Sequence, residues 1–133
     1  MKIGLYPICG DVIHAGHILA IEEAAKHCDW LVVALNCKPD GKEPIQSIYE
    51  RYIQLRGLKH VDEIICYEGK SDMELLCRSF DYDIRFVGED YRGREWDGKY
   101  TELLDGKEIH YLKRRHKLSS TELKERIRGD ENE

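Results

Sequence analysis

Residues 8–17, Ile8-Cys9-Gly10-Asp11-Val12-Ile13-His14-Ala15-Gly16-His17, join an apolar run at residues 2–6 to an amphipathic run at residues 18–27. The first run reads as a β-strand. The second reads as a helix, with Ile18, Ile21 and Ala25 on one stripe and Glu22, Glu23 and Lys26 facing away. Two histidines, three residues apart with a glycine before the second, therefore fall where a strand hands over to a helix. In an open α/β sheet that crevice is where ligands bind. The N–H groups and positive dipole end of the helix favour a phosphate there. A spacing of three lets both imidazoles reach one ligand from the first turn. The pair would also suit surface residues, or one of them a metal ligand, and spacing by itself does not decide.

Outward from this stretch, strands and helices alternate. Trp30-Leu-Val-Val-Ala-Leu35 is continuously apolar, as a strand covered on both faces must be. The Pro- and Gly-containing residues 36–44 read as a loop. A helix follows from Ser47 as N-cap, with Ile48, Tyr52 and Leu55 on one side. Residues 62–67 read as a third strand. Ser71-Asp72-Met73-Glu74 has the capping-box pattern of a helix running to about Phe80. Residues 83–88 and 108–112 read as the fourth and fifth strands, and 89–98 as a loop. Ser119 or Ser120 caps a last helix to about Arg128, with 129–133 an acidic, frayed tail. The pattern predicts an α/β fold with a parallel sheet of about five strands, in one domain over residues 1–133. The loops after the first, second and fourth strands then share one edge of the sheet, and residues 114–121 can join them.

The bulk numbers narrow the function. In a chain of 133 residues, 41% hydrophobic and 35% charged content suits a soluble globular protein. A formal net charge of −5 argues against a general nucleic-acid binder. No apolar run can span a bilayer, and residues 1–4 read as the start of a strand rather than a signal peptide, so no membrane association is expected. Five scattered cysteines without a Cys-x-x-Cys pair fit reduced thiols in a cytoplasmic protein.

A second informative stretch is Lys113-Arg114-Arg115-His116-Lys117-Leu118-Ser119-Ser120-Thr121. Arginine offers a fixed fork of donors to phosphate oxygens, and hydroxyls at a helix start add neutral donors. Taken with residues 8–17, it resembles the small cytidylyltransferases of the HxGH nucleotidyltransferase superfamily, above all their glycerol-3-phosphate branch, over nearly the whole chain. His14-Ala15-Gly16-His17 fits the HxGH signature and Asp11 the family's aspartate. Val61-Asp62-Glu63-Ile64 is similar to VDEV, Val87-Gly88-Glu89-Asp90-Tyr91 to MGDDW, and residues 111–121 to YLPRTEGISTT. Three departures stand out: Ile8-Cys9-Gly10 replaces Gly-Thr-Phe, Lys117 the signature glycine and Arg115 its threonine.

The resemblance implies a Rossmann-like sheet with helices on both faces and an enzyme that transfers CMP from CTP to a small phosphorylated alcohol. It implies catalytic roles for His14, His17, Arg114 and a loop lysine, either Lys38 or Lys42, because the loop is shorter than in the family. Nucleotide contacts would come from Cys9, Gly10, Asp11, Gly16, Gly88, Asp90, Tyr91, Ser119, Ser120 and Thr121. Arg51 and Lys59 would hold the substrate phosphate. Mg²⁺ would bridge phosphates, and a homodimer is implied. An adenylyltransferase of the flavin or nicotinamide-nucleotide type is the alternative, because Leu118-Ser119-Ser120-Thr121 also looks like ISST, and an inactive nucleotide-binding module is a third reading.

Overall fold

The structure is a computed structural model, and it describes residues 1–41, 43–91, 107–113 and 120–131. Five strands, β1 (Ile3–Ile8), β2 (Trp30–Asn36), β3 (Glu63–Tyr67), β4 (Ile84–Gly88) and β5 (Glu108–Leu112), form one sheet in the order β3-β2-β1-β4-β5. Every neighbouring pair is parallel. Among the described residues four helices accompany them: α1 (Ala15–Ala25), α2 (Ile48–Arg56), α3 (Gly69–Ser79) and α4 (Ser120–Glu131), with a 3₁₀ turn at Glu89–Tyr91. The expectation of a Rossmann-like α/β fold with a parallel sheet of about five strands holds.

The strand β2 shows why its sequence is continuously apolar. Leu31, Val33 and Leu35 enter one core cluster with Ile21 and Ala24 of α1 and Leu55 of α2. Val32 and Ala34 enter the opposite cluster with Met73 and Cys77 of α3. Alternate side chains go to opposite faces, and both faces are covered by helices. The chain winds outward from β1 through β2 to β3, then crosses back to β4 on the other side of β1. The strand order therefore reverses between β1 and β4, which puts the carboxyl end of β1 at the sheet's switch point.

Some boundaries differ from expectation, each for a local reason. The helix α1 starts at Ala15, and its inward positions are Gly16, Ile21 and Ala24, whereas Ile18 is 44% exposed. Apolar residues occupy 18–21 all round the first turns, so periodicity could not single out the face. Pro7 lacks a donor but does not end β1, which stays in register through Ile8↔Leu35. In α2 the expected Ser47 cap is present, its hydroxyl accepting from Glu50 N while Glu50 Oε1 accepts from Ser47 N. Ile48 faces solvent, and Arg51 is buried instead. The helix α3 starts two residues before Ser71. Gly69 supplies a positive φ of 73°, and Asp72 Oδ2, not Ser71, accepts from Glu68 N at 2.7 Å. The last helix continues to Glu131, through part of the stretch expected to fray.

One packing contact gives a direct test of this core. A Cβ added at Gly4 on β1 would sit 2.6 Å from Phe86 Cε2 and 2.8 Å from Cys28 Sγ. Gly4→Ala is expected to destabilise the fold by about 1–3 kcal/mol through overpacking, read as a lower urea midpoint. An unchanged midpoint would show that this part of the interior yields easily.

Candidate active site

The carboxyl end of β1 leads into a tight loop before α1. Two of its residues have left-handed backbone, Gly10 at φ +69° and Val12 at φ +53°. Glycine adopts this conformation freely, so Gly10 bears its positive φ without strain. Val12 is β-branched, and holding it there costs on the order of 1–3 kcal/mol. The loop is braced from the side. Val12 N donates to Gln46 Oε1 at 2.7 Å. Asp11, 3% exposed, accepts from Gln46 N at 3.0 Å and from Ile45 N at 3.1 Å.

The loop ends on His14, the N-cap of α1. His14 Nδ1 accepts from Gly16 N at 2.9 Å, and His17 Nδ1 accepts from His14 N at 3.2 Å. The two histidines thus form a reciprocal capping box, a job usually done by Ser or Thr with Glu. The arrangement has a chemical consequence. A neutral imidazole that accepts at Nδ1 carries its proton on Nε2. Both rings, 4.3 Å apart between centroids, are therefore set as Nε2–H donors over the N-terminus of a helix whose Gly16 is buried. Two such donors beside a positive helix end match the charge of a phosphoryl group.

Asp11 has a further partner. Lys124 Nζ, on α4, lies 2.8 Å from Asp11 Oδ2, with side-chain exposures of 18% and 2%. Burial pushes the Asp11 carboxyl up, but the Lys124 hydrogen bond, the Gln46 and Ile45 amides and the Lys124 charge outweigh it and hold the group below its ordinary range. The structure thus corrects the role expected for Asp11: its oxygens bind protein amides and a lysine, so it shapes the loop. Lys124 escaped the sequence reading. Its signal was its place one helical turn after Ser120, on the same face.

Arg51 is also corrected. Its guanidinium is 1% exposed, and Nη1 donates to Cys9 O at 2.9 Å and Asn36 O at 2.7 Å, with Nη2 3.4 Å from Cys37 O. It ties the carboxyl ends of β1 and β2 together and offers no face to a substrate phosphate. Lys59 lies elsewhere. The helix α2 runs back against the strands, so the turn after it returns to the amino ends, where Asp62 Oδ2 accepts from Leu31 N at the start of β2. Lys59 is exposed in that turn, at the opposite edge of the sheet from the histidines.

Lys38 is brought to the histidine edge. It is exposed just past β2, its N–H donating to Asn36 Oδ1 at 3.2 Å. Cys9 sits at the end of β1, and Gly88, Asp90 and Tyr91 fall at the end of β4, on the same edge, Asp90 exposed and Tyr91 closing the 3₁₀ turn. Ser120 opens α4 and Thr121 is exposed in its first turn. Lys42, Arg114 and Ser119 lie outside the described residues. Beside this edge, burial and the neighbouring Cys66 push the Cys37 thiol up to about 11, against the lowering effect of Arg51, which disfavours its thiolate.

The sequence model of the cytidylyltransferase-like family matches residues 8–126. The glycerol-3-phosphate cytidylyltransferase of Staphylococcus aureus is 30% identical over 123 residues, covering 90% of this chain and 89% of that protein. The Bacillus subtilis protein of the same name is also 30% identical over 123 residues, covering 90% and 92%. Among solved structures, a lipopolysaccharide core biosynthesis protein from Thermoplasma volcanium superposes with a TM-score of 0.72 at 26% identity, over 87% of this chain and 99% of that one.

Proposed function

This chain belongs to the cytidylyltransferase-like family and is a nucleotidyltransferase, and from that premise we propose that it transfers CMP from CTP to a small phosphorylated alcohol of the glycerol 3-phosphate kind. The observation that supports the reading is the reciprocal capping of His14 and His17, which leaves Nε2 as the N–H of each ring at the switch point of the sheet.

In this reading a phosphate oxygen of the alcohol attacks the α-phosphorus of CTP. The new P–O bond forms as the bond from the α-phosphorus to the bridging oxygen breaks, and pyrophosphate leaves with that electron pair. A phosphate monoester is already a nucleophile at neutral pH, so the chain's task is positioning and charge stabilisation. His14 and His17 donate to the α-phosphoryl oxygens and the adjoining triphosphate. A loop lysine, Lys38 or Lys42, neutralises the reacting phosphates, and Arg114 with Ser119, Ser120 and Thr121 receives the pyrophosphate. Cys9, Gly10, Gly16, Gly88, Asp90 and Tyr91 border the nucleotide at the strand ends. Among the described residues no cluster of three or more His, Cys, Asp or Glu side chains could hold a metal, and the Asp11 oxygens already bind two amides and Lys124, so a Mg²⁺ would be carried mainly by the substrate phosphates. Such an ion supplies charge neutralisation on the phosphates. The same reading makes the chain a homodimer in a cytoplasmic setting, as the resemblance implies. Among the described residues no helix is long and apolar enough to cross a membrane.

A pyrophosphate-release assay with CTP or ATP, Mg²⁺ and a panel of phosphorylated alcohols tests the proposal. Release with CTP and a three-carbon alcohol phosphate, well above that with ATP, is the expected result. Greater turnover with ATP would overturn the cytidylyl assignment, and no release under any condition would overturn the transferase reaction itself.

A further inference from the structure

We propose that Gln46 is a positioning residue for the two histidines: it holds the loop between β1 and α1 in the one backbone shape that turns His14 and His17 toward a phosphate. The proposal rests on the function above only for the reaction in which the histidines work.

The argument starts from Val12. A β-branched residue at φ +53° does not stay there unaided, and it lies two residues before His14. The described structure shows what holds it. Val12 N donates to the Gln46 side-chain oxygen at 2.7 Å, and Gln46 N donates to Asp11 Oδ1 at 3.0 Å. Gln46 therefore grips two successive loop residues, one through its side chain and one through its backbone. Its backbone is fixed in turn, because Ser47 caps α2 and Arg51, one turn on, anchors the loop at Cys9 O. Residues 45–51 thus hold the loop at Cys9, Asp11 and Val12. Downstream, His14 is extended, at φ −141° and ψ −177°, the shape that lets its Nδ1 reach Gly16 N. If Val12 relaxes to negative φ, the path to His14 turns, and the Nδ1 acceptor bonds that set both tautomers weaken. The Gln46 side chain is turned to the loop, so it acts through the histidines.

The test pairs Gln46→Ala with the double variant Gln46→Ala/Val12→Gly. Glycine takes a positive φ without side-chain cost, so it can restore the loop shape that alanine at 46 releases. Gln46→Ala is expected to lower kcat roughly tenfold or more with the nucleotide KM moving less than about threefold, since small misplacements of reacting groups are costly in rate. Val12→Gly in that background should recover most of the lost kcat. In the free protein, ¹⁵N NMR of the imidazoles should show both histidines as the Nε2–H tautomer in the wild type, a tautomer mixture in Gln46→Ala, and a return with glycine at 12. Unchanged tautomers in Gln46→Ala would overturn the proposal, as would a loss of activity that tracks a fall in melting temperature and is not recovered by the glycine. The NMR arm needs no substrate. If the wild type turned over neither CTP nor ATP, the transferase reading would fail while the tautomers still decided the role of Gln46.

Discussion

His14→Ala and His17→Ala are each expected to lower kcat by about 10²-fold or more, the scale of removing one aimed donor from developing charge. The structure sharpens the expectation, because the two rings are coupled. His17 Nδ1 accepts from His14 N, and His14 Nδ1 accepts from Gly16 N, so each variant also loosens the α1 N-terminus on which its partner stands. The double variant should therefore lose less than the product of the single losses, as residues acting as a unit do. Thermal stability should fall by about 1 kcal/mol in each single variant, the worth of an N-cap. Steady-state kinetics with CTP and the best alcohol phosphate, beside melting curves, supplies the check. Retention of activity within a few-fold in either variant would remove the histidines from the chemistry.

The largest stability effect is expected at Asp11. Removing one partner of a buried, hydrogen-bonded ion pair leaves the other charge uncompensated, and Asp11→Ala also strips two amides of their acceptor. A loss of about 3 kcal/mol is expected, with activity falling as the histidine loop loosens. The pH dependence has a definite sign. The folded carboxyl is held below the ordinary aspartate value, so its stabilisation is fully present above the unfolded value and is lost as pH falls through the folded one. Acid should therefore erode the wild type more than Asp11→Ala, and the two urea midpoints should converge below about pH 4. A constant gap between the two midpoints down to pH 3 would show that the carboxylate charge contributes nothing there.

Much of this arrangement was legible in the sequence, for physical reasons that also explain the rest. The strand β2 announced its double burial because both faces of the sheet needed apolar side chains. Ser47 announced α2 because the cap and its Glu50 partner are local in sequence. The histidines stood out because a strand-to-helix handover is a short-range pattern. What stayed hidden depended on distant partners. Nothing near Arg51 says that its guanidinium faces the main-chain oxygens of Cys9 and Asn36 instead of solvent. Nothing near Lys59 shows that α2 carries it to the far edge of the sheet. Asp11 looked like a ligand because loop aspartates often are; its amide partners are 34 and 35 residues away. Gln46 carries no chemical signature at all, and only the left-handed Val12 beside it gives it significance.

The contact between Asp11 and Lys124 spans 113 residues. During synthesis the amino-terminal end leaves the ribosome first, so β1, its loop and both histidines wait while almost all of the remaining chain is made. The strands β1, β2 and β3 can pair meanwhile, because they follow one another closely in the chain. The carboxylate of Asp11, however, meets its cation only when α4 arrives. The charge balance of the histidine loop is thus settled late in synthesis. A nascent or clipped chain that lacks Lys124 would hold the right strands yet leave the buried Asp11 carboxylate beside the histidine loop without its cation.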